Sequence, residues 1–224
     1  MAENAKNARG EGAANGPKTR KRRRRKDARP SEIIEAGLAE FAEKGFASTR
    51  LEDVARRADI SKATIYLYFE SKEALFEAAA RSRSLQVIGS IEDAVDGFEG
   101  STVDLIRLMM RMAYQGMLRD DVAQVVRLIV TEGPHAPALV EFYHREALTK
   151  GLGVLRKVVD RGLARGDLRD GPFAREPRVM IAPVVMAMLW RILFEEVEAL
   201  PIEDFIDAHL DMLLNGIAAE VERG

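Results

Sequence analysis

The stretch Thr49–Phe76, TRLEDVARRADISKATIYLYFESKEALF, restricts what this chain can fold into more than any other. Thr49 and Glu52 have the S/T-x-x-E spacing of a capping box, and Leu51, Val54, Ala55 and Ala58 follow at helical spacing. A short helix with one apolar face is expected there. Asp59 and Ile60 fall where a tight turn would sit. Ser61 is the next N-cap and opens a second helix to about Phe69, and Ser71 caps a third. Two short helices joined by such a turn form a helix-turn-helix, the unit that lays its second helix in the major groove of a duplex.

Ile65 and Phe69, four apart, suit packing onto Leu51, Val54 and Ala55, which leaves Lys62, Ala63, Thr64, Tyr66 and Tyr68 pointing outward or sideways. That set suits DNA. Lysine donates to guanine, the Thr and Ala methyls meet a thymine methyl, and a phenol bonds a phosphate oxygen. Lys72, in the first turn after Ser71, offers an ammonium beside a helix N-terminus. The plainer reading is a helical hairpin with surface tyrosines.

The run Val54-Ala55, Ala58-Asp59-Ile60-Ser61, Lys62-Ala63-Thr64-Ile65-Tyr66, Tyr68-Phe69, Ser71-Lys72 and Leu75 resembles the DNA-binding domain of TetR-family transcriptional regulators, I-A-x-x-A-G-V-S-x-G-T-L-Y-x-Y-F-x-S-K-x-x-L. The resemblance covers about Pro30 to Arg83. It implies base contacts from Lys62, Ala63 and Thr64, and phosphate contacts from Thr49, Ser61, Tyr66, Tyr68 and Lys72. Asp59 stands where the family usually has a turn glycine; Asp enters the left-handed region more easily than most residues. Ala63 replaces a common glycine and adds a methyl near the bases.

With 224 residues the chain has room for this reading head and a second unit of ordinary domain size. The expected domains are a disordered basic arm over 1–27, the DNA-binding domain over 28–83, and a body over 84–224. Within the arm, Lys18–Lys26 has eight basic residues in nine, suited to a phosphate backbone or a minor groove; a solubilising tail is the plainer use. Residues 1–83 hold 19 Lys+Arg and 13 Asp+Glu, a net of +6, and the remainder 15 and 23, a net of −8. An acidic body is repelled by phosphates and helps to orient the encounter. Cysteine is absent, and the longest apolar run, Val179–Trp190, is short of the roughly 20 residues that span a bilayer, so a cytoplasmic, nucleoid-associated protein is expected.

The fold expected is all-α. Pro30 opens a helix with Ile33, Ile34, Leu38, Phe41 and Ala42 on one face; Gly45 ends it in a left-handed turn that brings Phe46 onto Phe41. The Ser71 helix continues to about Val95 and is the only covalent link between head and body. Body helices are expected over Ser101–Leu118, Val122–Glu132, Ala138 to about Gly166, Ala174–Leu200, with Pro183 inside, and Ile202–Val221. Gly151 and Gly153 read as a close-packing feature.

His135, His144 and His209 lack metal-ligand spacing, and no nucleophile, Walker or dinucleotide motif is present, so neither cofactor, metal nor catalysis is expected. Methionine clusters at Met109, Met110, Met112 and Met117 and at Met180, Met186 and Met188. Periodicity alone makes each of them core. As a group, with Trp190 as a flat wall and Tyr114, Phe142 and Tyr143 as edges with polar tips, they suit an adaptable pocket, and the family resemblance implies an inducer cavity between such helices. Met109, Met112, Tyr114, Phe142, Tyr143, Met186 and Trp190 are the expected ligand-binding residues. The resemblance also implies a homodimer through the last two helices, where Val184, Val185, Met188, Ile192, Phe205, Ile206, Leu210, Leu213 and Leu214 supply apolar surface.

The reading that results is a three-helix helix-turn-helix domain followed by a helical-bundle effector-binding and dimerisation domain. It is expected to act as a homodimeric repressor that leaves a palindromic operator when a small apolar or aromatic effector binds. Two alternatives stay open: a regulator of this type without a small-molecule inducer, and an all-α enzyme that uses the body cavity.

Overall fold

A computed structural model describes residues 17–217, with side chains from Pro30 onward. Residues 1–16 of the expected arm and the end of the expected last helix, 218–221, lie outside the described residues. Among those described there are helices and no strands. The helices are α1 (Pro17–Lys44), α2 (Leu51–Arg57), α3 (Lys62–Tyr66), α4 (Lys72–Ala80), α5 (Gln86–Asp96), α6 (Thr102–Met117), α7 (Asp120–Glu132), α8 (Pro137–Tyr143), α9 (Thr149–Arg165), α10 (Pro172–Arg175), α11 (Arg178–Phe194) and α12 (Ile202–Ile217).

Local chemistry sets most of the boundaries. Ser61, Ser71 and Ser101 each accept a hydrogen bond from the backbone N–H three residues on, at 3.1 Å, and so cap α3, α4 and α6. α1 ends at a left-handed Gly45 with φ 80°, which places the Phe46 ring 4.9 Å from that of Phe41, as the sequence leads one to expect. Gly166, with φ 72°, ends α9 in the same way.

Four boundaries differ from expectation, the shortest change being in α3, which ends at Tyr66 and not near Phe69. α1 begins at Pro17, so Pro17–Asp27 of the expected disordered arm is helical. Lys and Arg are good helix formers, Pro17 sits at the first helical position, and Pro30 removes only one backbone hydrogen bond. α2 is capped by Arg50, not Thr49: the Arg50 N–H lies 3.4 Å from the Asp53 carboxylate, so the expected Thr49–Glu52 box does not form. The expected Ala174–Leu200 helix is broken at Glu176-Pro177, since the residue before proline is pushed out of the helical region, and it ends at Phe194.

Two long rods organise the molecule. α4 and α5 are joined through a π-helical turn, Arg81–Leu85, and α8 and α9 through another, His144–Leu148. The two turns pack against each other. The first rod carries the head into the body, but it is not the only connection. The apolar core of the head, with Ile33, Phe41, Phe46, Leu75 and Phe76, runs without a break into Val122, Val125 and Leu128 of α7 and Leu139 and Phe142 of α8. A second core, built on Leu105, Ile106, Met110, Val158, Met180 and Leu210, lies deeper in the body. Burying each large apolar side chain of this seam contributes about 1.5–3 kcal/mol, so head and body hold each other in one arrangement.

Candidate nucleic-acid interface and effector cavity

The turn between α2 and α3 is made by Asp59, at φ 51°, with the Ile60 N–H donating to the Ala55 carbonyl at 3.0 Å. A short polar residue therefore does the work of a glycine. α3 buries Ile65, and Phe69 beyond it, against the head core. Ser61, Lys62, Ala63 and Tyr66 are exposed, and Thr64 and Tyr68 are half-buried. The Thr64 hydroxyl lies 2.8 Å from that of Ser61. One surface thus presents an ammonium, a methyl group, two hydroxyls and a phenol, the groups that base edges and phosphates accept.

Glu52, on α2, engages this surface. Its carboxylate is 2.7 Å from the Lys62 ammonium and accepts from the Tyr66 hydroxyl at 3.2 Å. The Lys62 hydrogen bond holds the Glu52 carboxyl below the usual carboxylate range, and the same bond raises Lys62, so both stay charged at neutral pH.

Two residues expected on phosphates are used inside the head. Thr49 is buried, and its hydroxyl donates to the Gly45 carbonyl at 2.8 Å, with the Glu40 carbonyl at 3.2 Å. The Lys72 ammonium donates to the Phe46 and Ala47 carbonyls at 2.7 and 2.8 Å and sits 4.7 Å from the centre of the Phe46 ring. It clamps the turn after α1 to the start of α4, since among the described residues no backbone N–H outside the helices reaches those two turn carbonyls.

The other cations of the head are also spoken for. From Pro30 to Arg83 there are 8 Lys+Arg against 10 Asp+Glu. Lys44 pairs with Glu40, Arg56 with Asp53, Arg57 with Glu40 and Glu43, Arg81 with Glu146, and Arg83 with Glu35 and Asp121. Among the described residues Arg50 and Lys72 are the two of these eight cations without a carboxylate partner, and Lys72 is held by carbonyls. The basic excess of the N-terminal region lies wholly in residues 1–29, with 11 Lys+Arg against 3 Asp+Glu.

In the body, an apolar cavity of about 130 Å³ lies between α5, α6, α9 and α11. Val87, Ile88 and Ile91 form one wall, Met109, Met110, Ala113 and Met117 another, and Tyr143, Ala147 and Leu148 lead into a third. Of the expected ligand residues only Met109 and Tyr143 line it. Met112 does not reach it. Tyr114 is turned away toward α12, with its hydroxyl 2.9 Å from His209 Nδ1. Phe142 belongs to the head–body seam, edge-on to Phe76 at 6.2 Å and beneath the Arg81 guanidinium at 5.1 Å. Met186 is exposed, and Trp190 donates to the Glu198 carbonyl at 2.7 Å on the outer side of α11. The sequence signal that was missed is the Val87, Ile88, Ile91 stripe on α5, at the helical spacing of a wall.

The glycine reading also changes. A Cβ at Gly153 would meet nothing within 4 Å, and one at Gly151 only Ile88 Cδ1 at 4.0 Å. The close approach is at Gly116, where a Cβ would fall 2.2 Å from Val87 Cγ1.

At the expected dimer surface, Val184, Met188, Ile206, Leu210, Leu213 and Leu214 are buried in the chain's own core. Val179, Val185, Met186, Leu193, Phe194, Val197 and Met212 are exposed instead. α11 is apolar on all sides, so one face fills the core and leaves another uncovered. No helix among the described residues is long and apolar enough to cross a membrane.

The family model described as bacterial regulatory proteins, tetR family, matches residues 33–79, and that described as tetracyclin repressor-like, C-terminal domain, matches residues 99–213. The chain is similar to the HTH-type transcriptional repressor SCO4008 of Streptomyces coelicolor, 29% identical over 142 residues, which are 63% of this chain and 73% of that protein. It is also similar to the HTH-type transcriptional regulator RutR of Escherichia coli K12, 44% identical over 63 residues, 28% of this chain and 30% of RutR. Among solved structures, the SmeT–triclosan complex has the same fold, with a TM-score of 0.73 at 20% identity over 86% of this chain and 93% of that one.

Proposed function

Because this chain belongs to the TetR family of bacterial regulatory proteins and is a DNA-binding transcriptional regulator, we propose that it is a homodimeric repressor that leaves its operator when a small molecule enters the body. We place the DNA-binding domain at 28–83 and the effector and dimerisation domain at 84–224. In this reading Lys62, Ala63 and Thr64 meet base edges, and Ser61, Tyr66 and Tyr68 meet phosphates. Thr49 and Lys72 act indirectly, by fixing the turn on which α2 and α4 rest. Val179, Met186, Leu193 and Met212 form the dimer face, and the protein works in the cytoplasm on chromosomal DNA.

The observation that carries the reading is the exposed first turn of α3 on a head whose core is continuous with the body. A guest against Val87 and Ile91 pushes on the same rod that bears Leu75 and Phe76. Release then requires only that the guest favour a shape in which the two α3 helices leave the spacing of successive major grooves. That SmeT is in complex with triclosan supports the small-molecule part. The modest size of the cavity, below the several hundred Å³ of an ordinary ligand pocket, favours a second reading in which a protein partner regulates the dimer.

Gel shifts with operator DNA selected from a genomic library test the proposal. Lys62→Ala is expected to lose roughly tenfold or more of operator affinity and to relax preference at one position per half-site, while binding to random DNA changes little. Unchanged affinity and preference would remove α3 from the groove.

A further inference from the structure

Resting on the effector reading above, we propose that the body cavity takes a small uncharged apolar molecule, one aromatic ring or a short alkyl chain, admitted between α5 and α9 where Ile88 lies over Gly151, and that it refuses carboxylates and coenzyme A thioesters.

The lining decides the charge. Val87, Ile88, Ile91, Met109, Met110 and Met117 face the cavity, and among the described residues no Lys, Arg or His lines it. Among the described residues Tyr143 is the one lining residue with a polar side chain. A carboxylate here would be desolvated without a counter-charge, and a ligand with several polar groups would leave them unpaired. A neutral apolar guest has no ionic or polar hydration to lose on entry.

The volume decides the size. About 150 Å³ of apolar-lined space accepts a benzene ring, and this half-open cavity offers about 130 Å³. Its three lining methionines are unbranched and repack at low cost, so a methyl group more or less is tolerated.

Gly151 decides the door. A glycine inside a helix weakens it relative to alanine, and a Cβ at Gly151 would meet nothing closer than Ile88 Cδ1 at 4.0 Å. Packing does not demand it. What its missing side chain leaves is space between α9 and α5 on the half-open side of the cavity, with Ile88 the nearest side chain across it and exposed Leu148 and Val185 on the rim. Ile88 on that rim belongs to α5, the wall that continues into the DNA-reading head, so entry and signal share a helix.

Thermal-shift and calorimetric titrations of the full-length protein with toluene, 1-hexanol, hexanoate and hexanoyl-coenzyme A test this. Toluene and 1-hexanol are expected to bind at least tenfold more tightly than the other two, and Gly151→Met, whose side chain fills the gap, to abolish their binding. Hexanoate or hexanoyl-coenzyme A binding preferentially, with Gly151→Met blocking it, would overturn the ligand class and leave the effector cavity standing. Toluene binding the variant as it binds the wild type would overturn the site itself, and so would failure of all four probes. Ala113→Leu fills the cavity from the α6 wall and carries the same expectations if Gly151→Met does not fold.

Discussion

Changing Tyr114 to phenylalanine removes one oxygen from the middle of the body. The Tyr114 ring is fully buried, edge-on to Phe205 at 6.3 Å, and its hydroxyl is 2.9 Å from His209 Nδ1. Burial pushes Tyr114 up to about 12 and lowers His209 from its ordinary value. At neutral pH the phenol therefore keeps its proton and donates it to a neutral imidazole. Phenylalanine preserves the packing and leaves Nδ1 buried without a donor, which costs about 1–3 kcal/mol. For a chain of this size that lowers Tm by roughly 2–12 °C, at about 2–4 °C per kcal/mol. The pH dependence has a definite sign. His209 binds its proton more weakly folded than unfolded, so its contribution is fully present above the ordinary histidine pKa of about 6.5 and is lost as pH falls through the lowered folded value. Calorimetric melts from pH 5 to 8 read both effects, with operator gel shifts as a control on the head. Tyr114 faces α12 and not the cavity, so effector affinity should stay within about twofold, far less than a lost hydrogen bond would produce. A Tyr114→Phe protein that melted like the wild type but no longer bound effector would refute this account and return the phenol to the ligand.

Two further outcomes test the DNA side and the coupling. Deleting residues 1–26 should flatten the log–log salt dependence of operator binding by about 5 across the dimer, if roughly three arm cations in each subunit neutralise phosphates at about 0.9 per contact; an unchanged slope would make the segment a solubilising tail. Phe142→Leu keeps the seam apolar but removes the ring edge that meets Phe76, so effector should bind nearly as before while its effect on operator affinity falls several-fold. Operator Kd measured with and without toluene reads that ratio, and by linkage the effect of operator on toluene binding must fall equally.

The parts of the fold legible in the sequence were those fixed by near neighbours. Ser61, Ser71 and Ser101 announce helices because each caps with its own side chain. Asp59 and Gly45 take the backbone turns that their chemistry allows. Thr49 misled because its hydroxyl finds acceptors at Glu40 and Gly45, which face it only after α1 has ended. Lys72 misled in the same way, since the Phe46 and Ala47 carbonyls that hold it belong to another part of the chain. On α11 the difficulty was different. Met180, Val184, Ala187 and Met188 are buried while Val179, Val185, Met186 and Leu193 are exposed, and with apolar residues on every side no periodicity says which face meets the body. Met186 and Trp190 were thus put in a pocket that they do not line. The cavity itself depends on four helices far apart in the chain, and the one hint, the α5 stripe, is indistinguishable from ordinary core before they are packed.

The acidic company kept by the head's cations sets how quickly the protein can search a chromosome. A surface with unpaired lysines and arginines lingers on every stretch of duplex, since non-specific hold is almost all counterion release, and wrong sites outnumber right ones by about a million or more. Here Glu40, Glu43, Glu52 and Asp53 occupy Lys44, Arg57, Lys62 and Arg56, so the head gains little from phosphates that are not matched by the right bases. The surplus positive charge is concentrated in the first 29 residues; if the salt slope assigns them phosphate contacts, dwell time on wrong sequence is theirs to set. Lengthening or trimming that segment should in that case tune the speed of the search, whereas removing any of those four acids should make the reading surface adhesive before it made it more discriminating.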